Sequence, residues 1–262
     1  MARYEWISFT TDYGLSDGFV AACHGAIART APTVRVIDVT HAVRPGDVAR
    51  GAAVLAQTAP HLPPAVHLAV VDPGVGTARR GIALRTPNGL LVGPDNGLLI
   101  WAAESLGGVA AAVELTNPRW FAPEVSRTFH GRDIFAPVAA RLAAGAELAD
   151  AGPAVAPSTL VRLPDPVVTV GDGWLEAEVL TVDRFGNVQL AAPGELLDAL
   201  GPLLDVGGVR AVRGATFGAT PVGGLVVFVD SAGRVAVAVN SGRAAVVLGV
   251  RPGDLVRVAT AE

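Results

Sequence analysis

A chain of 262 residues that is 51% hydrophobic and 17% charged, with 31 glycines and 19 prolines, has the composition of a folded α/β protein with many tight turns. A formal net charge of −4 without a dense Lys/Arg cluster gives no electrostatic footing for a phosphate backbone, so nucleic acid is not an expected partner. The first residues carry no apolar signal core, no stretch offers the roughly eighteen uncharged apolar residues of a membrane helix, no zinc-type ligand spacing occurs, and the single cysteine, Cys23, reads as a small buried hydrophobe; the expectation is a cytoplasmic protein without a metal.

Apolar runs at Trp6–Phe9, Val34–Val39 and Val66–Val71 alternate with helical stretches at Phe19–Ala28, Asp47–Ala59 and Leu98–Leu106. That alternation predicts crossover units on a mainly parallel sheet. Arg44-Pro45-Gly46 breaks the chain before the second helix, and the Asp47 carboxylate can cap its first free amides. A further helix is predicted from near Ile134 to about Ala144. Between Gly152 and Pro166 the pattern lapses, and Pro153, Pro157, Pro164 and Pro166 remove amide donors and favour extended backbone. We therefore read residues 1–156 as an α/β domain, 157–166 as a proline-rich linker and 167–262 as a second domain. In the latter, Val167–Val170, Leu175–Val182, Leu225–Val229, Val235–Val239 and Ala244–Leu248 read as strands, with Glu195–Leu200 the one helical candidate. This predicts a smaller, mostly antiparallel, barrel-like all-β domain.

In an open parallel sheet the ligand crevice lies beyond the carboxyl ends of the strands, so polar residues directly after an apolar run are the first candidates. Thr10-Thr11-Asp12-Tyr13-Gly14, with Asp17 and Gly18 behind, follows the first run. It reads equally as an Asx turn with a helix cap or as a carboxylate accepting hydrogen bonds from ribose hydroxyls. Asp72-Pro73-Gly74-Val75-Gly76-Thr77-Ala78-Arg79-Arg80 follows the third run and lacks the Gly-Lys-Ser/Thr of a P-loop. It holds an acid, Asp72, and a base, Arg79, on one short loop, which is either a surface ion pair or part of a site. Thr128-Phe129-His130-Gly131-Arg132-Asp133 leads into the fourth helix; His130 alone could be structural, as His24, His41, His61 and His67 are taken to be. Pro94-Asp95-Asn96-Gly97 reads as a turn. Asp183-Arg184-Phe185-Gly186-Asn187 combines an anion, an aromatic face and an amide on a hairpin connection or a site.

Together and in this order, Thr11-Asp12-Tyr13-Gly14, Val71-Asp72-Pro73-Gly74-Val75-Gly76-Thr77 with Arg79, Phe129-His130-Gly131-Arg132-Asp133 and Asp183-Arg184-Phe185-Gly186-Asn187 resemble the S-adenosylmethionine hydroxide adenosyltransferases over nearly the whole chain. The resemblance implies cleavage of S-adenosylmethionine by water to adenosine and methionine, without a cofactor, with Asp72, Arg79 and His130 positioning the attacking water. The halogenating relatives, fluorinases and chlorinases, lack that set, which favours water over halide as nucleophile. The resemblance further implies that Asp12 binds the ribose hydroxyls, Asn187 the adenine edge, Phe185 and Phe217 the apolar walls, Asp183 the methionine ammonium and Ser231 the methionine carboxylate. One departure is Ala232, where the fluorinase pattern has an arginine just after the serine. Also implied is a homotrimer whose active sites lie between the first domain of one subunit and the second domain of its neighbour.

A sulfonium already carries a good leaving group, so attack at the ribose C5′ needs neither an acid nor a metal, and the chemical problem is the weak nucleophilicity of water. The expected solution is a cationic field from Arg79 and a protonated His130, with Asp72 orienting the water or taking its proton, in an in-line displacement with inversion. The competing readings are a halide-using relative, a divalent-metal phosphohydrolase with Asp12, Asp17, Asp72 and Asp133 as oxygen ligands, and a non-catalytic S-adenosylmethionine sensor.

Overall fold

A run without polar alternation, such as Ala65-Val66-His67-Leu68-Ala69-Val70, suits a strand covered on both faces, and in the computed structural model, which describes residues 4–261, every residue of this strand is buried. The chain forms two compact units that divide between Leu163 and Pro164. The first contains β1 (Trp6–Thr11), α1 (Phe19–Thr30), β2 (Arg35–Thr40), α2 (Val48–Thr58), β3 (Ala65–Val70), β4 (Gly81–Thr86), β5 (Gly89–Pro94), α3 (Ile100–Ser105), β6 (Ala111–Glu114) and α4 (Ala136–Ala143). Its strands form a six-stranded sheet in the order β2-β1-β3-β5-β4-β6. The first four in this order run parallel, and β4 is antiparallel to both of its neighbours.

Side-chain alternation divides the core between the two faces of the sheet. Ile7, Phe9, Leu68 and Val70 pack with Val20, Cys23 and Ile27 of α1 and Val138 and Leu142 of α4. Ala69, Val71, Leu84 and Leu91 pack instead with Leu55 of α2 and Ala102 and Ala103 of α3. The chain goes from β1 to β2 on one side and then crosses to β3 on the other, so the loops after β1 and β3 diverge and leave a crevice at their carboxyl ends. α2 begins as expected: the Asp47 side chain accepts the Arg50 amide at 3.0 Å. Cys23 is fully buried, and burial pushes its thiol up to about 12. His67 is buried against Ser8, 2.7 Å away, and burial lowers its pKa to about 4, so it is a neutral structural residue.

The second unit contains β7 (Val168–Gly171), β8 (Trp174–Val182), β9 (Val188–Pro193), β10 (Leu203–Val206), β11 (Val209–Arg213), β12 (Leu225–Val229), β13 (Arg234–Val239), α5 (Ala244–Leu248) and β14 (Leu255–Thr260). β14-β10-β11-β12-β13-β9-β8 close on themselves through the β14–β8 pairing, forming a barrel with β7 along one edge of β8. All of these pairings are antiparallel except β11–β12. The alternating burial of β8 follows from one face filling the barrel with Leu175, Ala177 and Val179.

One expectation fails in this unit. Ala244–Leu248, read as a strand, is helix α5. A five-residue apolar run has too little length for its periodicity to separate the two states. Gly249, at φ 66°, ends it in the left-handed conformation typical of a helix stop. Glu195–Leu200 is helical but wound as a tight 3-10 turn over Gly194–Ala199, and the helix expected from Ile134 is preceded by a wider π turn over Gly131–Phe135.

Candidate active site

Three loops meet at the β1/β3 crevice. Asp12 and Tyr13 follow β1, Asp72 to Arg79 follow β3, and Thr128 to Gly131 lead into the π turn. The cleft they enclose has a volume of about 340 Å³ and is lined by Asp12, Tyr13, Gly46, Asp72, His130 and Gly131 among others. This lies within the usual range for a small-molecule site.

The β3 loop folds back on itself as its composition allows. The Thr77 amide donates to the Gly74 carbonyl at 3.2 Å, and the Thr77 hydroxyl donates to the same oxygen at 2.7 Å. Arg79 is thereby turned onto Asp72, its Nε donating to Oδ1 at 2.9 Å and to Oδ2 at 3.0 Å. Gly76 has φ 78°, and a Cβ there would lie 2.4 Å from the Arg127 carbonyl oxygen, so only glycine lets this loop press against the segment that carries His130. Across that contact Arg79 Nη2 donates to His130 Nδ1 at 2.9 Å. The guanidinium also stacks on the Phe135 ring, 5.0 Å from its centroid. Both ionic side chains are withdrawn from water, Asp72 to 5% and Arg79 to 12% exposure.

The expected protonated His130 is corrected by this geometry. A guanidinium can only donate, so Nδ1 must present its lone pair, and the ring proton sits on Nε2. Burial and the adjacent Arg79 charge lower the His130 pKa, against a partial offset from Asp72 and Asp133. The imidazole is neutral, and the Arg79 charge is matched by Asp72.

Asp12 lines the same cleft and accepts the Gly46 amide at 2.8 Å, so Arg44-Pro45-Gly46, legible in the sequence only as a chain break, also builds a wall of the site. Tyr13 is packed edge-on against Phe129 at 5.7 Å, and burial holds its phenol protonated, well above its ordinary pKa. Asp17 is exposed, and Asp133 accepts from Arg132 and the Ser126 amide away from the cleft. Among the described residues no three of Asp12, Asp17, Asp72 and Asp133 converge as metal ligands. Asp95, expected only in a turn, is a buried anchor: it pairs with Arg80 and accepts the Val161 amide at 2.9 Å.

In the second unit, Asp183, Phe185 and Asn187 share one closed loop. Asp183 Oδ1 accepts the Phe185 and Asn187 amides, both at 2.9 Å, and Oδ2 accepts Asn187 Nδ2 at 2.8 Å. Phe185 is left 67% exposed on this loop, and Phe217, 47% exposed, rests edge-on against Phe228. Ser231 is exposed in the turn between β12 and β13, whose Asp230 caps the Ala232 and Arg234 amides.

Comparison with known proteins agrees with these motifs. Residues 7–152 match the SAM hydroxide adenosyltransferase N-terminal domain and residues 177–257 the C-terminal domain of the same family. A protein from Salinispora arenicola named (R)-S-adenosyl-L-methionine hydrolase is 70% identical over 98% of this chain and 99% of its own length. A protein from Actinoplanes named fluorinase is 30% identical over 70% of each chain. The crystal structure of an uncharacterized conserved protein from Thermotoga maritima superposes with a TM-score of 0.90 at 38% identity, covering 97% of this chain and 99% of that one.

The π turn depends on another close approach: a Cβ at Gly131 would lie 2.0 Å from the Tyr13 hydroxyl oxygen. Gly131→Ala is expected to cost about 1–3 kcal/mol in urea unfolding. Adding Tyr13→Phe, which deletes that oxygen, should recover part of the loss. A Gly131→Ala variant as stable as the parent would contradict the packing described.

Proposed function

The chain belongs to the SAM hydroxide adenosyltransferase family, and from that footing we propose that it is the hydrolase that cleaves S-adenosylmethionine with water to adenosine and methionine, using Asp72, Arg79 and His130. The observation that carries this reading is the buried, mutually hydrogen-bonded set of these three side chains at the carboxyl edge of β1 and β3. The relatives' name specifies the (R) form of the substrate, and we extend that preference to this chain.

The set works by orientation rather than by net positive charge. With both Arg79 contacts committed, His130 has Nε2–H left to donate, and Asp72 keeps lone pairs that Arg79 does not use. A water held between them donates one hydrogen to Asp72, accepts from His130, and turns its remaining lone pair toward C5′. As the C5′–O bond forms and the C5′–S bond breaks, the sulfur electron pair leaves with neutral methionine. The attacking oxygen is then an oxonium, far more acidic than a carboxylic acid, so even an arginine-paired carboxylate can take its proton and later release it to solvent. Neutral His130 has no free lone pair for that task, which leaves Asp72 as the acceptor.

Asp12 suits the ribose diol, while Asn187, Phe185, Phe217, Asp183 and Ser231 would contact adenine and methionine. The exposure of Phe185 and Phe217 supports their being covered in a homotrimer, each active site drawing its second-domain residues from a neighbouring subunit. The reaction calls on no cofactor, and we take its setting to be the cytoplasm.

Incubation with both sulfonium epimers of S-adenosylmethionine, in buffer with chelator and excess chloride, should deplete the (R) epimer and yield adenosine and methionine. His130→Ala and Asp72→Asn should each lower kcat by about 10²- to 10⁴-fold. A 5′-halogenated nucleoside, or binding without product, would instead favour the halogenase or the sensor. Because neutral His130 is the working form and its pKa is lowered below 6.5, kcat/KM should stay level from about pH 8 to about pH 6.5 and fall only at lower pH. An acidic limb centred above 6.5 would contradict the neutral imidazole.

A further inference from the structure

Away from the cleft lining, the packing of α1 on the β1–β2 edge gathers His24, Asp38 and His41, whose potential ligand atoms all lie within 4.8 Å of one another. His24 Nε2 is 2.9 Å and His41 Nε2 3.1 Å from the same oxygen, Asp38 Oδ1. We propose that these three side chains bind a divalent transition-metal ion, for which zinc is the best match, and that the ion braces the loop bearing Asp12.

The buried nitrogen of His41 carries the argument. Its side chain is 3% exposed, and Nε2, though 3.1 Å from Asp38 Oδ1, makes no hydrogen bond among the described residues. A hydrogen-bond network alone leaves this polar atom unsatisfied, whereas a metal uses its lone pair directly. The opposite nitrogen, Nδ1, lies 2.8 Å from Thr11 Oγ1, as a metal-bound imidazole's second nitrogen is usually held by a polar partner. Two imidazoles and one carboxylate form a donor set that zinc accepts with tetrahedral geometry, leaving one position for water on the more exposed His24 and Asp38 side.

The dimensions fit. Ligands of a tetrahedral ion with bonds of about 2.0–2.1 Å stand about 3.3 Å apart, so the pairs at 2.9 and 3.1 Å would open by only a few tenths of an ångström. Both rings are already held by Phe9, whose centroid lies 5.9 Å from that of His24 and 4.9 Å from that of His41. Register also helps, since Asp38 is the β2 partner of Phe9. The coupling to the reaction centre is direct. The His41 carbonyl accepts the Gly14 amide at 2.7 Å, and Thr11, which touches the His41 ring, accepts the Tyr13 amide at 3.2 Å. An ion at this site would hold both ends of the turn around Asp12 without entering the displacement.

The test uses untagged, full-length protein stripped with chelator, then titrated with zinc chloride by calorimetry and analysed for metal after desalting. The expected result is one retained zinc per chain and a thermal midpoint raised by several degrees, because the ion binds the folded state. His24→Ala and Asp38→Asn alter half-exposed groups, so both should fold, retain the midpoint of the metal-free parent and bind zinc about 100-fold or more weakly. Zinc lost on desalting, or uptake equal in parent and variants, would overturn the proposal, whatever is found for hydrolysis.

Discussion

Asp72 and Arg79 are each nearly removed from water, and neither could be so alone. Stripping one partner from a buried ion pair leaves an uncompensated charge at a cost of about 3–5 kcal/mol, so the loop after β3 is held to the one conformation that brings them together. That conformation sets much of the rest. It fixes the direction from which Arg79 meets His130, and hence which imidazole nitrogen carries the proton. The pair also explains the tightness of its surroundings. Gly76 lets the loop touch the Arg127 backbone, and Gly131 lets the π turn pass the Tyr13 hydroxyl, so the triad is supported from both flanks by contacts that a methyl group would break.

The sheet supplies the location and the loops supply the chemistry. Because β1 lies between β2 and β3, its carboxyl end faces diverging connections, and the polar residues of two loops can enter one crevice. Helices on both faces then anchor the strands through fully buried residues such as Phe9, Leu68 and Leu91. The proposed orientation of a single water would need this kind of foundation, since misplacement of a reacting oxygen by an ångström forfeits much of the advantage of alignment. The second unit solves a different problem. Its closed barrel satisfies its strand edges and presents the Asp183–Asn187 loop as a self-capped turn with Phe185 projecting.

Much of this was legible in the chain. Predominantly apolar runs leading to Asp12 and Asp72 marked the two strand ends at the crevice, and alternation in Leu175–Val182 marked a half-buried barrel strand. Strands β4, β5, β6, β10, β11 and β14 were among those not read: β4 and β5 form a hairpin joined only by Pro87 and Asn88, and β6, β10 and β11 are runs of four or five residues beside glycine pairs or prolines. Ala244–Leu248 was misread for the related reason that five apolar residues fit either period, and the decisive signal, the glycine stop at Gly249, lay just outside the run. The charge state of His130 was out of reach of sequence, since it follows from a contact between residues 51 positions apart. So was the gathering of His24 and His41: Asp38 joins them only when α1 lies across the β1–β2 edge.

Within the Asp72–Arg79–His130 set, water itself attacks the ribose C5′, and no carboxylate oxygen of Asp72 is transferred to that carbon. Single-turnover hydrolysis of S-adenosylmethionine in ¹⁸O-enriched water, with mass analysis of the nucleoside, tests this most directly. One ¹⁸O at the 5′ oxygen of adenosine is the predicted result; adenosine without the label, from the same enriched solvent, would contradict it.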